Sequence, residues 1–468
     1  MEDVSVGTNG GGVPALPDDV HREIFFRLPA RCLCRARAVC RSWRDLASEP
    51  SFLRAHAART AASPFLLTWS DTVTKRDNTR DCTVHLRIHQ DQDDRGRRTG
   101  DRPSAAAGDD DGDHGHRSRC CDLRLVLTAR YPSISGAMRS WDGILCVEMW
   151  VRPQPPPFVA EHVPCSYLLL NPISRACTVA SAPTLRVGEP GGRLDRGYIA
   201  GAYSHPVTGV FHLLHSSSSG SAVAGCGGEQ QTTPRFRLQT VDSPDATWRE
   251  VPMSGDAGTA MLQTVVGRLR LQSSVTVHGR LHWRVARSQT RPRHDKEELL
   301  VFHAADEEFG RMALPRLHEA GAVKQQAIST LAGKLCLLAG LASSSTAVEV
   351  WVVEDYDAQD WRLRHVIHAN RPSPLHIVHV LDSALGNVGL LVGGVRGDEV
   401  EEILFYNCLQ KAYNVRPGSS STSVRQCQGL AVHEQSLLPH NVIFGTMPRV
   451  QGIAFLDCPN NGGKQVQL

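Results

Sequence analysis

Apolar and polar residues alternate along this chain with two different periods, and the period changes near residue 64. Between residues 14 and 60, apolar residues recur every three or four positions, which is typical of amphipathic helices. Beyond residue 64, short apolar runs separated by Gly, Pro, Ser and Asp predict β-strands joined by turns. The pattern therefore predicts a small all-α module followed by a large all-β domain.

Two short amphipathic helices are predicted in the module. The first begins after Pro17, whose fixed φ suits a first helical turn, and ends before Pro29. Its apolar residues lie at i, i+4 and i+8, and they are Val20, Ile24 and Leu28. The second apolar series is spaced by three and four residues, and it comprises Leu33, Ala36, Cys40, Trp43 and Ala47. Helices of this length bury little surface alone, so the module needs a partner or an adjoining domain.

A glycine followed by alternating apolar residues recurs five times in the β-rich part. The repeated glycines are Gly143, Gly209, Gly279, Gly333 and Gly389, at intervals of 66, 70, 54 and 56 residues. A second apolar strand follows each of them, and apolar runs at 65–69 and 123–128 predict strands of a further unit. These lengths are typical of kelch-like blades with insertions. The repeat therefore predicts a propeller-like fold of roughly six blades, with two-sheet β-sandwiches as the alternative.

Composition divides the chain further. Residues 1–13 are Gly-rich and predict a disordered leader, residues 14–60 form the helical module, and residues 61–458 form the β domain. Inside the β domain, residues 91–119 contain eight Asp, six Arg and no aromatic residue. Such a segment cannot bury enough apolar surface to offset its ordering entropy, so it is predicted to be disordered. Residues 284–298 are predicted to be a charged exposed loop, and residues 459–468 a frayed tail.

Charge and hydropathy exclude several classes of protein. The net charge is +3 and the pI is about 8.2, which is too mild to imply a nucleic-acid or membrane partner. No apolar stretch approaches the roughly 20 residues of a membrane span. The N-terminus lacks the hydrophobic region of a secretory signal. These features predict a location in the cytoplasm and/or the nucleus.

No motif for catalysis or cofactor binding is present. The patterns GxSxG, GxxxxGK, GxGxxG and HExxH do not occur. The 14 cysteines include no CxxC pair and are interpreted as reduced, mostly buried thiols. A polar loop, and not a metal site, is the interpretation of His114, His116, Cys120 and Cys121, because their spacing fits no tetrahedral site. Exposed strand or loop positions are predicted for His205, His212, His215, His365 and His368. We expect no catalytic residue, cofactor or metal.

The order of short motifs in the helical module resembles the F-box family. The matching elements are Leu16-Pro17, Glu23-Ile24, Arg27-Leu28-Pro29, the segment from Val39 to Arg44, and Pro50-Ser51-Phe52. The pair Phe25-Phe26 departs from the pattern, since the family more often has an aliphatic residue there. The β-rich part is similar to the F-box-associated β domains of plant F-box proteins, through the segments 140–146, 171–175 and 350–352.

The resemblance implies a three-helix motif that docks on the Skp-type adaptor, and through it on the cullin, of a Skp–cullin–F-box ubiquitin ligase. The β domain would then capture an unidentified target protein, without nucleic acid or membrane as partner. The implied adaptor-facing or motif-core residues are Leu16, Pro17, Ile24, Leu28, Pro29, Val39, Cys40 and Trp43, and the sequence does not separate these two roles.

Three alternatives remain at this point. The helices could be a plain cap on the β domain. Five arginines between Arg31 and Arg44, with no acid among them, could indicate a helix-turn-helix DNA reader. The chain could also be a propeller-type glycan-binding or hydrolytic protein that carries an F-box, which would need convergent carboxylates on one face.

Overall fold

A computed structural model gives the fold of the chain. The residues that it describes are 16–28, 30–60, 65–76, 79–89, 121–127, 133–150, 165–172, 176–183, 197–220, 232–241, 247–253, 274–284, 298–317, 323–331, 333–341, 347–368, 376–382, 388–396, 399–407, 412–415, 429–433 and 453–457. The predicted leader, the insertion at 91–119, most of the loop at 284–298 and the tail lie outside them, so these remain predictions.

Four helices form the N-terminal module. They are α1 (Asp18–Arg27), α2 (Ala30–Ala36), α3 (Arg41–Leu46) and α4 (Pro50–Thr60). The second predicted helix is in fact two, because Cys40 is extended and its Sγ accepts the N–H of Trp43 as the cap of α3. Pro50 ends the predicted series and also begins α4, so the module has one helix more than the resemblance implied. No helix in the described ranges is long and apolar enough to cross a membrane.

Five antiparallel sheets of four strands follow, named here sheets I to V. Sheet I contains β4 (Ser133–Trp141), β5 (Ile144–Trp150), β6 (Cys165–Asn171) and β7 (Ala176–Ser181). Sheet II contains β8 (Tyr198–Ser204), β9 (Phe211–Gly220), β10 (Thr232–Thr240) and β11 (Arg249–Val251). Sheet III contains β12 (Val275–Val277), β13 (Arg280–Arg284), β14 (Glu298–His303) and β15 (Glu308–Ala313).

Sheets IV and V repeat the same order. Sheet IV contains β16 (Val323–Leu331), β17 (Lys334–Leu341), β18 (Ala347–Asp355) and β19 (Asp360–His368). Sheet V contains β20 (His376–Asp382), β21 (Val388–Arg396), β22 (Glu399–Asn407) and β23 (Ala412–Val415).

The sixth sheet, sheet VI, combines strands from both ends of the β domain. Its members are β1 (Phe65–Arg76), β2 (Thr79–His89), β3 (Cys121–Leu127), β24 (Gly429–His433) and β25 (Ile453–Asp457), in the order β24-β1-β2-β3-β25. The C-terminal strand β24 therefore pairs with the first strand, and β25 pairs with β3. The apolar runs at 65–69 and 123–128 do belong to a further unit, as predicted.

Strands of neighbouring sheets contact one another at several of the junctions. Strand β24 contacts β4, β4 contacts β8, β12 contacts β16, and β16 contacts β20. Six sheets arranged in this way, each of four or five antiparallel strands, form a propeller-like domain. The predicted fold class and the estimate of roughly six blades are confirmed.

The repeated glycines mark the turn between the first two strands of a sheet. Gly143, Gly209, Gly279 and Gly333 have φ between 69° and 79°, a region in which glycine has no steric cost. Gly389 does not fit the series, because it lies inside β21 and pairs with Leu381. In the fifth unit, the repeated glycine therefore lies in the second strand and not in the turn before it.

Apolar clusters fill the spaces between adjacent sheets. Between sheets I and II lie Ile144, Tyr167, Ile199, Phe211 and Leu213, and between sheets II and III lie Tyr203, Phe236, Leu281, Trp283 and Phe302. Tryptophan N–H groups add hydrogen bonds from one sheet to another. Trp248 Nε1 donates to the Ser181 carbonyl at 2.9 Å, and Trp361 Nε1 donates to the Ala313 carbonyl at 2.9 Å. In both cases a tryptophan in or next to the outer strand of one sheet bonds to the last residue of the outer strand of the preceding sheet.

Candidate functional site

The helical module has a compact aromatic core centred on α1 and α4. Phe25, Leu33 and Phe52 are fully buried, and the Phe25 ring lies 5.2 Å from Trp43 in a T-shaped arrangement. The Phe26 ring packs on Phe52 with 4.7 Å between ring centroids. The pair Phe25-Phe26, which departs from the family pattern, thus joins α1 to α4.

Packing Phe25 inward turns the predicted apolar face of α1 toward solvent. Leu16, Val20 and Ile24 are 53%, 41% and 44% exposed, and Val39 after α2 is 64% exposed. Only six large apolar side chains are this exposed among the described residues, and these are four of them. Isolated exposed apolar residues are common, but such a concentration on one small module indicates a binding surface. We call Leu16, Val20, Ile24 and Val39 the apolar surface.

Trp43 packs from α3 against α1. Its ring lies 5.8 Å from the His21 ring and 5.2 Å from the Phe25 ring, and both partners belong to α1. The backbone N–H of Trp43 donates to Cys40 Sγ at 3.4 Å, which caps α3 directly after Val39. The half-buried Trp43 therefore joins α1 to α3.

Ion pairs fix the helices around this core. Arg22 Nη2 on α1 lies 2.5 Å from Glu49 Oε2 before α4, and Arg27 Nη2 lies 3.1 Å from Glu23 Oε1 one turn earlier. Hydrogen bonds from Ser51 and Arg22 hold the pKa of the Glu49 carboxyl below its ordinary value. His56 Nε2 lies 2.8 Å from the Leu28 carbonyl, which ties α4 to the end of α1.

The β domain has its main group of titratable residues where sheets II and III meet. The His212 ring stacks on Tyr203 at 5.3 Å, and the Arg249 guanidinium pairs with the Glu307 carboxylate. Burial lowers the pKa of His212 to about 4, and burial together with Glu307 raises the pKa of Tyr203. The histidine is therefore neutral and the tyrosine protonated at neutral pH. A carboxylate already paired with arginine, beside a tyrosine that resists ionisation, is suited to joining sheets and not to nucleophilic chemistry.

A second histidine occupies the same repeat position where sheets III and IV meet. His282 follows Gly279 by three residues, as His212 follows Gly209. Its Nδ1 lies 3.1 Å from the Val275 carbonyl, which can only accept, so in the neutral ring Nε2 accepts from the Tyr356 hydroxyl. Burial lowers the pKa of His282 to about 4.

These contacts correct the prediction that the histidines of β9 are exposed. His212 is 8% exposed and His215 is fully buried, because β9 has neighbouring strands on both sides and sheets on both faces. The prediction of mostly buried thiols does not hold for the six cysteines that the structure describes. Two of them are buried, three are partly buried and Cys40 is exposed. No metal-binding group occurs among the residues described, and the segment with His114 and Cys120 lies outside them.

Comparison with known proteins identifies the helical module. The family described as F-box-like matches residues 13–58. The N-terminal module is an F-box-like domain. The resemblance to plant-type F-box proteins is confirmed, and it extends beyond this domain. An F-box protein of Arabidopsis thaliana is 23% identical over 381 residues, which cover 78% of this chain and 76% of that protein.

Solved structures resemble the chain only at low similarity. The β-propeller domain of the Trilobed protease from Pyrococcus furiosus gives a TM-score of 0.31 at 8% identity, covering 61% of this chain and 70% of that one. An endo-arabinase from Bacteroides thetaiotaomicron gives 0.30 at 10% identity, covering 59% and 96%. The fold assignment rests on the six-sheet topology of this chain.

The structure separates the eight F-box residues predicted from sequence into two groups. Exposed on the F-box-like domain are Leu16, Pro17, Ile24, Val39 and Cys40. Leu28 and Trp43 are half-buried and pack against the core. Pro29 lies outside the described residues.

Two functional features were missed. Val20 belongs to the apolar surface, and its signal was the i, i+4 spacing to Ile24. Phe25 is the residue of α1 that is buried, and its partner Phe52 lies on a helix that the sequence pattern did not predict.

Proposed function

We propose that this protein is the substrate-recognition subunit of a Skp–cullin–F-box ubiquitin ligase. The F-box-like domain docks on a Skp-type adaptor, and the β domain holds the target protein. The observation that carries the proposal is the apolar surface, because a folded module that leaves four large apolar side chains exposed has a surface that a partner can bury. We place this activity in the cytoplasm and/or the nucleus.

Within the docking surface, the two groups of residues have different roles. Leu16, Ile24 and Val39 are the side chains that an apolar groove on the adaptor would bury. Leu28 and Trp43 hold the helices in the arrangement that presents them, so their replacement disturbs the module itself. This division makes the exposed residues the better test of docking.

Ile24→Asp combined with Val39→Asp is expected to abolish adaptor binding without unfolding the chain. Each buried anchor is typically worth about 2 kcal/mol, and a carboxylate placed in an apolar groove adds a desolvation cost. We expect affinity for a purified plant Skp-type adaptor, measured by isothermal titration calorimetry, to fall at least about 100-fold.

Val207→Asp is the matched control. Val207 is 80% exposed in the turn between β8 and β9, so the substitution adds one carboxylate, against two in the double variant, to an exposed valine away from the F-box-like domain. It should leave the affinity unchanged. Full adaptor binding by the Ile24 and Val39 double variant would show that the apolar surface is not where the adaptor docks.

The proposed receptor performs no chemistry of its own. Holding the target on the β domain places it near the ubiquitin-charged enzyme, which raises the effective concentration of the reacting groups. Adaptor docking and target capture would then lie on separate units of the chain. The change from helices to strands between Thr60 and Phe65 marks their boundary.

The full-length Ile24→Asp, Val39→Asp variant is expected to stabilise the target in cells. It keeps the β domain and so retains the target, but it does not bring the ligase to it. Affinity purification with ligase activity blocked, followed by mass spectrometry, provides the best-enriched partner, and a cycloheximide chase of that partner gives its half-life. A half-life as short as with the unmodified chain, or loss of the partner from the variant, contradicts the proposed division of labour.

A further inference from the structure

Docking through the apolar surface does not explain the run of arginines in the F-box-like domain. Between residues 30 and 48 the sequence contains five arginines and a single acid, Asp45. By contrast, α1 carries Asp18, Asp19 and Glu23 against Arg22 and Arg27. The domain is therefore polarised, with its positive charge concentrated at the α2–α3 corner, where Val39 is exposed.

Two of these arginines have a structural role. Arg37 donates from Nε at 3.1 Å and from Nη2 at 2.7 Å to the carbonyl of Ala47, at the end of α3. Arg44 Nε donates to the Arg37 carbonyl at 3.0 Å. Together they tie the end of α2 to α3, and they satisfy carbonyls that a helix end leaves without partners.

Arg35 and Arg41 have no comparable role. Both are exposed, and neither has an ion-pair or hydrogen-bond partner within the described part of the chain. They flank Val39, four residues before it and two residues after it. Two guanidinium groups without a partner among the described residues thus lie within four residues of Val39, the most exposed residue of the apolar surface.

A DNA reader does not fit this arrangement. Helix α3 has six residues, and the cap and carbonyl contacts of Cys40 and Arg44 occupy its two ends. Among the arginines of this run whose side chains the structure describes, Arg35 and Arg41 are left to meet a partner, which is fewer than the phosphate contacts of a typical DNA-binding module. Guanidinium groups at the border of an apolar docking surface are instead suited to carboxylates on a protein.

We propose that Arg35 and Arg41 pair with an acidic patch on the Skp-type adaptor, beside the groove that takes Val39. This inference rests on the proposed adaptor docking and adds a charge requirement to it. Charges at the border of an interface mainly raise the association rate and set the orientation of the partner, and salt screens them. Docking of this chain is therefore salt-dependent, and Arg35 and Arg41 are the source of that dependence.

The test uses the full-length chain and a purified plant Skp-type adaptor in surface plasmon resonance at about 0.05, 0.15 and 0.5 M salt. Arg35→Glu with Arg41→Glu is expected to weaken binding about tenfold at the lowest salt and less than about twofold at the highest, mainly through a slower association rate. Arg316→Glu with Arg362→Glu is the control, because these exposed arginines lie in the β domain and the change in net charge is equal.

Arg37→Ala separates docking from folding. It should lower the thermal stability of the F-box-like domain, while the Arg35 and Arg41 double variant should keep the melting curve of the unmodified chain. Salt-independent binding by the unmodified chain, or equal binding by the double variant, overturns the charge requirement while leaving adaptor docking in place. Absence of any binding by the unmodified chain overturns the proposed function itself. Loss of affinity for a duplex DNA probe in the double variant, without a change toward the adaptor, would assign the arginines to nucleic acid instead.

Discussion

Removal of residues 429–468 is expected to abolish folding of the β domain. The deletion takes away β24 and β25, the two C-terminal strands of sheet VI. Strand β24 pairs with β1 from Phe65 opposite His433 to Trp69 opposite Gly429, and it also contacts β4 of sheet I. Without it, sheet VI loses the contact that β24 makes with sheet I. We expect a loss comparable to the whole stability of a domain, about 5 kcal/mol or more, and an insoluble product.

Shorter deletions should produce a graded result. Ending the chain after Cys458 removes only the predicted tail and is expected to leave solubility and melting temperature unchanged. Ending it after residue 452 also removes β25, which exposes the edge of β3 while β24 stays in place, so a soluble but aggregation-prone protein is expected. Soluble expression, circular dichroism and thermal melting distinguish these cases. A folded product from the largest deletion would show that the last strands do not complete the domain.

The repeat was visible in the sequence because it depends on local chemistry. A two-residue hairpin turn needs residues that tolerate positive φ, and Asp142-Gly143 and His278-Gly279 supply them at the expected places. The apolar runs on either side have the period of strands. Local signals of this kind therefore sufficed to predict the number of sheets.

The completion of sheet VI could not be predicted in the same way. The pairing of Phe65 with His433 joins residues far apart in the chain, and no local motif records it. The face of α1 was ambiguous for a similar reason. Ile24 and Phe25 are neighbours in an apolar stretch, and the packing of Phe52 from α4 decides which of them is buried.

Burial of the β-domain histidines shows a further limit of sequence patterns. A strand with one exposed face alternates apolar and polar residues, and histidine on the polar positions reads as exposed. Strand β9 lies between two strands and two sheets, so His212 and His215 are buried although their residue type is polar. The hydrogen bond between His212 Nδ1 and Thr240 Oγ1, at 3.2 Å, could not be predicted from the sequence either.

Mild acid is expected to destabilise the β domain through His212 and His282. Both have a pKa of about 4 in the folded protein, because burial disfavours their charged form, whereas an unfolded chain has a histidine pKa of about 6.5. The unfolded state therefore binds the proton more tightly. Stability is fully present above about pH 6.5, falls as the pH decreases toward 4, and changes no further through these groups below that value.

The size of the effect follows from the two pKa values. Between pH 7.5 and pH 5, each histidine should cost about 2 kcal/mol of unfolding free energy, which is a large fraction of the stability of a typical domain. The charged groups around each histidine ring do not reverse this loss of stability in acid. Arg280 and His303 disfavour protonation of His282. Glu307 favours protonation of His212, but the ion pair of Glu307 with Arg249 limits this effect.

Urea unfolding of the full-length chain at pH 7.5 and pH 5 measures this loss. His282→Gln keeps a neutral polar side chain beside Tyr356 and Val275, so it should remove about half of the difference between the two pH values, at a cost of about 1 kcal/mol at pH 7.5. His278→Gln is the matched control, because His278 is exposed on the same hairpin and its replacement should leave the difference intact. An unchanged pH difference in the His282 variant would show that acid acts through other groups than His282 in this pH range. The paired carboxylates Glu49 and Glu354 are not among them, because their lowered pKa values place their effect below about pH 4.5.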